Sequence, residues 1–267
     1  MDSDVIEIER QEHVATIWLN RPEKLNALNL PMWDDLPKAI RAVGDDGETR
    51  AIVIAGRGRA FTAGIDITAL ASFPAGTDVK RRQDLYREIK RLQRSFTALA
   101  DSPLPVIAAI HGACIGAGVD LITAADIRLA AADALFSVRE TRLGMIADVG
   151  TMQRLPKIIP AGYAAELIYT GRDVSAAEAE RIGLVNRVYP DSAALIAAAQ
   201  DLAGSIAANS PLTIRGIKQV LRAGANRSIE EALDYVALWN AAFLNSNDFA
   251  EGLAALMERR TPDFKGE

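Results

Sequence analysis

Three carboxylates, Asp120, Glu140 and Asp148, stand in one stretch, Pro105 to Pro156, that otherwise holds an apolar run, a glycine-rich turn and mostly uncharged residues. Acids are normally solvated, so carboxylates among apolar neighbours call for a reason: structural pairing or proton transfer. Proton transfer gains from burial, which raises a carboxyl's pKa toward neutrality, and two acids on separate segments can serve two ends of one substrate. The structural alternative is also present. Arg139 and Arg142 flank Glu140 as ion-pair partners, and Asp148 beside Gly150 could cap a turn.

Two small-residue segments offer backbone donors. In GRGRAFTAGIDI, Gly56 to Ile67, the run Thr62, Ala63, Gly64 lets the chain bend sharply and leaves the Ile65 N–H available to an outside acceptor. The turn expected over Gly112–Gly118 leads into a helix expected from about Ala117 to Ala125. Its first N–H groups lack intrahelical partners and carry the positive end of the helix dipole, which suits a developing oxyanion. Neither segment has the spacing of a phosphate-binding loop or a dinucleotide fingerprint. Cys114 lies three residues from His111, but a strand turning into a helix buries it, so a thiol nucleophile is disfavoured.

The elements that must hold these groups follow from pattern. Alternation in VIEIE and HVATIWL predicts a hairpin, with His13 a surface residue at its turn. A helix begins near Asn29 with Pro31 in its first turn, and Pro37 inside it predicts a kink or an irregular start. AIVIAG, Ala51–Gly56, reads as a buried strand and ALASFPAG, Ala69–Gly76, as an apolar loop fit to line a pocket. From Val79, Leu85, Ile89, Leu92, Phe96 and Leu99 recur at helical spacing. Its basic residues, Lys80 to Arg94, form a solvated face. Val106–Ile110 reads as a buried strand; Ile127–Ala130 and Ala134–Val138 are further strands, placing Glu140 just past a strand end and Asp148 on a loop. Tyr163–Thr170 is a helix, and Ser175 caps another that stops at Gly183. Ala193 to Arg260 reads as long helices with one brief break at Asn209, Ser210, Pro211. We place a boundary near Tyr189: a mixed α/β core over residues 1–189 and a helical appendage over residues 190–267.

With 267 residues, 49% of them hydrophobic, the chain can bury a large core. A net charge of -5 argues against a nucleic-acid surface. The longest charge-free run, Pro103 to Val119, is broken by His111 and glycines and reads as core, not membrane. Two histidines and one cysteine without ligand spacing argue against a metal site. The single cysteine and an acidic N-terminus without an apolar core point to the cytoplasm, with no leader expected.

IAGRGRAFTAGIDI, HGACIGAGVDL and GRDVSAAEAERIGLVNRV, in that order, resemble the crotonase (enoyl-CoA hydratase/isomerase) superfamily over Ile6 to Phe264. The resemblance implies an α/β spiral of β-β-α units with a C-terminal helical trimerisation region, assembling as homotrimers or hexamers. It implies a coenzyme A thioester as substrate and no cofactor. GVDLITAADIRLAAADALFSVRE followed by ADVGTMQRLPK more closely resembles the Δ3,5,Δ2,4-dienoyl-CoA isomerases, which have an aspartate where hydratases usually carry their first glutamate, and a third acid where hydratases have a small residue. Those positions are Asp120 and Asp148, and the family's second acid falls on Glu140. The oxyanion-hole N–H groups carry over to Ile65 and Ala117. Glycine is commoner at the second position, and Ile65 would narrow the acyl entrance. Adenine and pantetheine are expected near Lys24, Ala27, Ala63 and Ile65, with Asp66 and Ile67 adjoining; Phe264 and Lys265 would reach a neighbouring subunit's nucleotide. The implied activity, in fatty-acid β-oxidation, moves the double bonds from 3,5 to 2,4, with Glu140 at C2, Asp148 at C6, and Asp120 orienting the substrate or tuning Glu140. The alternatives are a 2-enoyl-CoA hydratase using Asp120 and Glu140, and a catalytically silent acyl-CoA-binding or scaffold subunit.

Overall fold

The structure, a computed structural model, describes residues 3–267. Strands β1 (Ile6–Gln11) and β2 (Val14–Leu19) form the expected hairpin, paired from Ile6 with Leu19 to Gln11 with Val14. Glu12 takes the left-handed conformation at its tip, φ 49°. Helix α1 (Leu30–Gly44) opens on Asn29, whose side chain accepts from the Met32 N–H at 3.0 Å. Contrary to the irregular start anticipated from Pro37, the helix is continuous from Leu30. Proline removes the N–H that would bond the Trp33 carbonyl, and the Ser95 hydroxyl donates to that carbonyl instead, at 2.6 Å.

Then follow β3 (Ala51–Gly56), the short α2 (Ile67–Ala71), the long α3 (Val79–Asp101) and β4 (Val106–Ile110). The segment Gly112–Gly118, expected to be only a turn, contains a strand, β5 (Ala113–Ile115), before α4 (Ala117–Thr123). Next come β6 (Ile127–Ala131), β7 (Leu135–Ser137), a 3-10 turn over Arg139–Leu143, and α5 (Thr151–Ile158), a helix the residue pattern did not reveal. Helix α6 (Ala161–Thr170), β8 (Val174–Ser175), α7 (Ala176–Arg181) and β9 (Arg187–Tyr189) complete this part. As expected, the Ser175 side chain caps α7, accepting from the Glu178 N–H.

The strands build two sheets. The larger runs β1-β2-β3-β4-β6-β9, parallel except for the β1 edge, and the smaller runs β5-β7-β8. Chain order explains them: β4 enters the large sheet and β5 the small one, then β6 the large and β7 the small, so the chain winds as a spiral. The inner strands β2, β3 and β4 are covered on both faces and buried along their whole length, whereas the edge strand β1 keeps Glu9, Arg10 and Gln11 exposed. In β3, Ile52 and Ile54 join the core that contains α1, α3 and α4, while Ala51, Val53 and Ala55 face the opposite way. That second face packs on α8 (Ser192–Ala207) through Leu195, Ala199 and Ala203, where alanine meets alanine and the helix lies close on the sheet.

After α8 come α9 (Pro211–Gly224), α10 (Ile229–Phe243) and α11 (Asn247–Glu258). Three breaks interrupt these helices, not the single one expected. Each following helix has its own serine cap, Ser210, Ser228 and Ser246, and Ser228 with Glu231 makes a full capping box. Among the described residues, no helix is long and apolar enough to cross a membrane.

Candidate active site

Two peptide units, those before Ile65 and Ala117, bond through their carbonyls to the chain and leave their N–H groups turned the other way. The Thr62–Ile65 segment is pinned beside β5: Thr62 N–H donates to the Ala113 carbonyl at 2.9 Å and Ile115 N–H to the Thr62 carbonyl at 3.1 Å. The Gly64 carbonyl accepts from the Leu28 N–H at 2.8 Å. In a planar trans peptide the N–H points opposite to the C=O, so the Ile65 N–H is turned away from Leu28. Likewise the Gly116 carbonyl accepts from Val119 N–H at 2.7 Å and Asp120 N–H at 3.3 Å. That turns the Ala117 N–H, the first of α4, back out of the helix. The two segments are in close contact: a Cβ on Gly64 would stand 2.6 Å from the Ile115 carbonyl oxygen and 3.7 Å from the Ala117 nitrogen. Glycine is required there, also because its φ is +92°.

The three acids arrive from three elements. Asp120 lies on α4, 1% exposed, and accepts the Thr151 N–H at 2.5 Å. Glu140 sits on the 3-10 turn after β7, with its carboxylate against Gly116, where an added Cβ would be 3.1 Å from Oε1. Its Oε2 is buried without a hydrogen-bond partner. Asp148 is on the loop before α5, and its backbone carbonyl accepts from the Gln93 side chain of α3 at 2.7 Å. The anticipated alternative of arginine pairing at Glu140 is not what forms. Arg139 pairs with Asp173, and Arg142 reaches the Thr170 carbonyl only at 3.5 Å.

Electrostatics follow from this placement. Burial, then the neighbouring charge of Asp120 and the more weakly felt Asp148, pushes the Glu140 carboxyl up to about 7. Burial raises Asp120 to about 6, against the bond from the Thr151 N–H and the nearby Arg154 charge. Asp148 is exposed by area, yet the surrounding walls desolvate its carboxyl enough to raise it as well. Raised in this way, the Glu140 carboxyl can take up and release a proton near neutrality.

All three face one cavity of about 1080 Å³. Its wall includes Ile65 and Ala117, together with Lys24, Ala27, Ala63, Asp66 and Ile67. Lys24 is exposed at the rim. The Asp66 carboxylate is occupied: it pairs with Arg21 at 3.0 Å and caps α2 through Thr68, which hold it at about 2. Phe264 and Lys265 lie elsewhere. Phe264 lines a second cavity among α9, α10 and α11, and the Lys265 backbone N–H donates to Asp248 at 2.8 Å. The segment Ala69–Gly76, expected to be a loop, is helical up to Ala71, and its remainder lines the main cavity through Phe73 and Pro74. Residue patterns missed Trp33, Leu85, Ile89 and Met145 as wall residues. For α3 the signal was there: its apolar stripe extends past the part that α1 covers. Arg154 was also missed, since nothing local marks it as a neighbour of Asp120.

A family model described as Enoyl-CoA hydratase/isomerase matches residues 9–267. The chain belongs to the enoyl-CoA hydratase/isomerase family. Within this family it is 44% identical over 255 residues to the mitochondrial Delta(3,5)-Delta(2,4)-dienoyl-CoA isomerase of Rattus norvegicus, covering 94% of this chain and 78% of the relative. It is 41% identical to the peroxisomal Delta(3,5)-Delta(2,4)-dienoyl-CoA isomerase of Arabidopsis thaliana, covering 98% of this chain and 96% of that one. Among solved structures, the enoyl-CoA hydratase of Bacillus anthracis superposes with a TM-score of 0.91 at 34% identity, over 98% of this chain and 100% of that chain. The expected crotonase-type α/β fold is thus shared with a solved family member.

Proposed function

We propose that this family member isomerises 3,5-dienoyl-CoA to 2,4-dienoyl-CoA. The observation that carries the reading is that Glu140 and Asp148, on separate segments, face one cavity together with the unpaired N–H groups of Ile65 and Ala117. The thioester carbonyl oxygen sits between those two N–H groups, which stabilise the enolate oxygen; losing one such donor costs about 3 to 4 kcal/mol in comparable sites. Glu140 removes the C2 proton, the electrons shift along the conjugated chain, and Asp148 delivers a proton to C6. The C3=C4 and C5=C6 bonds thereby become C2=C3 and C4=C5. Coenzyme A is part of the substrate, with Lys24, Ala27, Ala63, Asp66 and Ile67 along its path, and the reaction needs no further cofactor. Its setting is fatty-acid β-oxidation.

Hydration of 2-enoyl-CoA is the second reading, favoured by the likeness to the Bacillus anthracis enzyme. Against it, an oxygen of Asp120 is committed to the Thr151 N–H rather than to a water. We also infer a homotrimer or hexamer built by residues 190–267. Supporting it, Leu221, Leu238, Leu256 and Met257 are each at least 70% exposed on α9, α10 and α11. Phe264 and Lys265 would then act across subunits. A cytoplasmic location rests on the lone cysteine; the relatives above are named mitochondrial and peroxisomal.

The test is an ultraviolet assay of the purified protein with 3,5-dienoyl-CoA and 2-enoyl-CoA in parallel. Isomerisation extends conjugation and raises long-wavelength absorbance, whereas hydration removes an existing band. A rise with the dienoyl substrate is expected. Loss of the band with 2-enoyl-CoA alone would favour the hydratase, and no change with either would favour a silent binding subunit.

A further inference from the structure

Helix α5 begins without a capping side chain of its own. Its N-cap is Gly150, at φ 142°, which has nothing to offer the first N–H groups of the helix. The first of them lies away from the surface: Thr151 is 0% exposed. The missing acceptor comes from α4, where the Asp120 carboxylate takes the Thr151 N–H at 2.5 Å. Asp120 is itself 1% exposed, so this bond is shielded from competing water.

The position of that bond matters because Asp148 lies just before Gly150. The loop is held from two sides. Gln93 on α3 donates to the Asp148 carbonyl at 2.7 Å, and Asp120 holds the residue that ends the loop. Glu140, by contrast, sits on a separate element, the 3-10 turn over Arg139–Leu143, with its carboxylate beside Gly116.

We propose that Asp120 is a positioning residue: its carboxylate caps α5 in place of the absent side chain at 150 and so holds the loop that carries Asp148 in register with Glu140. This rests on the isomerase reading for its catalytic consequence, but the tether itself does not. Asp120 then carries no proton of the reaction. Its requirement is for an acceptor oxygen, which asparagine also supplies, asparagine being as good a cap as aspartate.

The experiment compares Asp120→Asn and Asp120→Ala by three readouts: dienoyl-CoA isomerisation, exchange of the substrate's C2 hydrogens with deuterated solvent, and amide hydrogen exchange at Thr151. In Asp120→Asn the Thr151 amide should stay protected and isomerisation should remain within about tenfold of the starting enzyme, since the cap survives. In Asp120→Ala the Thr151 amide should exchange faster and isomerisation should fall about 100-fold or more, as expected for a displaced proton donor. C2 exchange, which uses Glu140 and the two N–H donors, should persist, with its pH profile moved down because the Asp120 charge no longer raises the Glu140 carboxyl. A general structural defect would instead remove both chemical readouts together.

Equal and deep loss of isomerisation in both variants, with Thr151 still protected in Asp120→Asn, would show that the reaction needs the charge or proton of Asp120 rather than its cap, and would overturn the proposal. So would unchanged Thr151 exchange in Asp120→Ala. If the alanine variant does not fold, Asp120→Asn alone decides by the same criterion. If the unaltered protein does not isomerise the dienoyl substrate, the functional reading fails, and Thr151 exchange still decides the tether.

Discussion

Gly116 and Glu140 are in direct contact: a Cβ at 116 would stand 3.1 Å from the Glu140 Oε1 and 3.5 Å from its Cδ. The same glycine adopts φ 53°, ψ -114°, which side-chain-bearing residues disfavour, and its carbonyl orients the Ala117 N–H. One residue therefore spaces the base from the oxyanion donor. Gly116→Ala should lower stability by about 1–3 kcal/mol through backbone strain and push the carboxylate aside. Isomerase kcat should fall by about tenfold or more, because small misplacements in such sites are costly. Steady-state kinetics beside thermal melting check this; unaltered kcat would contradict it.

Glu140 carries a signed stability effect. Its carboxyl is raised from 4.5 to about 7, with burial as the first cause. Below 4.5 it is protonated in both the folded and unfolded states, so it costs nothing. Between 4.5 and 7 the folded state keeps a proton that the unfolded state releases, and stability falls as pH rises. Above 7 the cost is full, about 3 kcal/mol. Glu140→Gln should therefore abolish isomerisation while melting about 5 °C higher than the parent at pH 8, with little difference at pH 4. A lower melting temperature for Glu140→Gln at pH 8 would show a compensating partner for the carboxylate.

Thr62 links two strands of the oxyanion framework. Its hydroxyl donates to the Asn26 carbonyl at 2.7 Å and accepts from the Gly64 N–H at 3.1 Å, both buried. Thr62→Val keeps the shape and leaves both groups unpaired, costing about 1–3 kcal/mol. The Ile65 N–H, two bonds along the chain from Gly64, should lose its aim, lowering kcat by about 10-fold or more while KM changes less. Equal kcat in the two proteins would contradict this role.

Much of this site was legible because its parts are local. The apolar β4 run, the glycines that follow and the start of α4 are contiguous, so residue types alone point to N–H groups at a helix start. The small residues Thr62, Ala63 and Gly64 are what single out the Ile65 peptide, which the structure places on the cavity wall. What residue patterns could not show depends on distant partners. β5 has only three residues and exists through pairing with β7. α5 hid because it starts on a bare glycine and contains Pro156, while its cap is supplied by Asp120 from another helix. Arg139 beside Glu140 suggested an ion pair, but Asp173 claims it instead. The Trp33 carbonyl that Pro37 leaves without its helical donor is met by the Ser95 hydroxyl, far along the chain.

The central claim is that Asp148 delivers the proton at C6, and Asp148→Asn tests it most directly because the amide keeps the shape and removes the acid. Its rate of absorbance rise with 3,5-dienoyl-CoA should fall by about 100-fold or more, while deuterium still enters C2 through Glu140. Near-normal turnover of the 3,5-dienoyl substrate by Asp148→Asn would contradict the account.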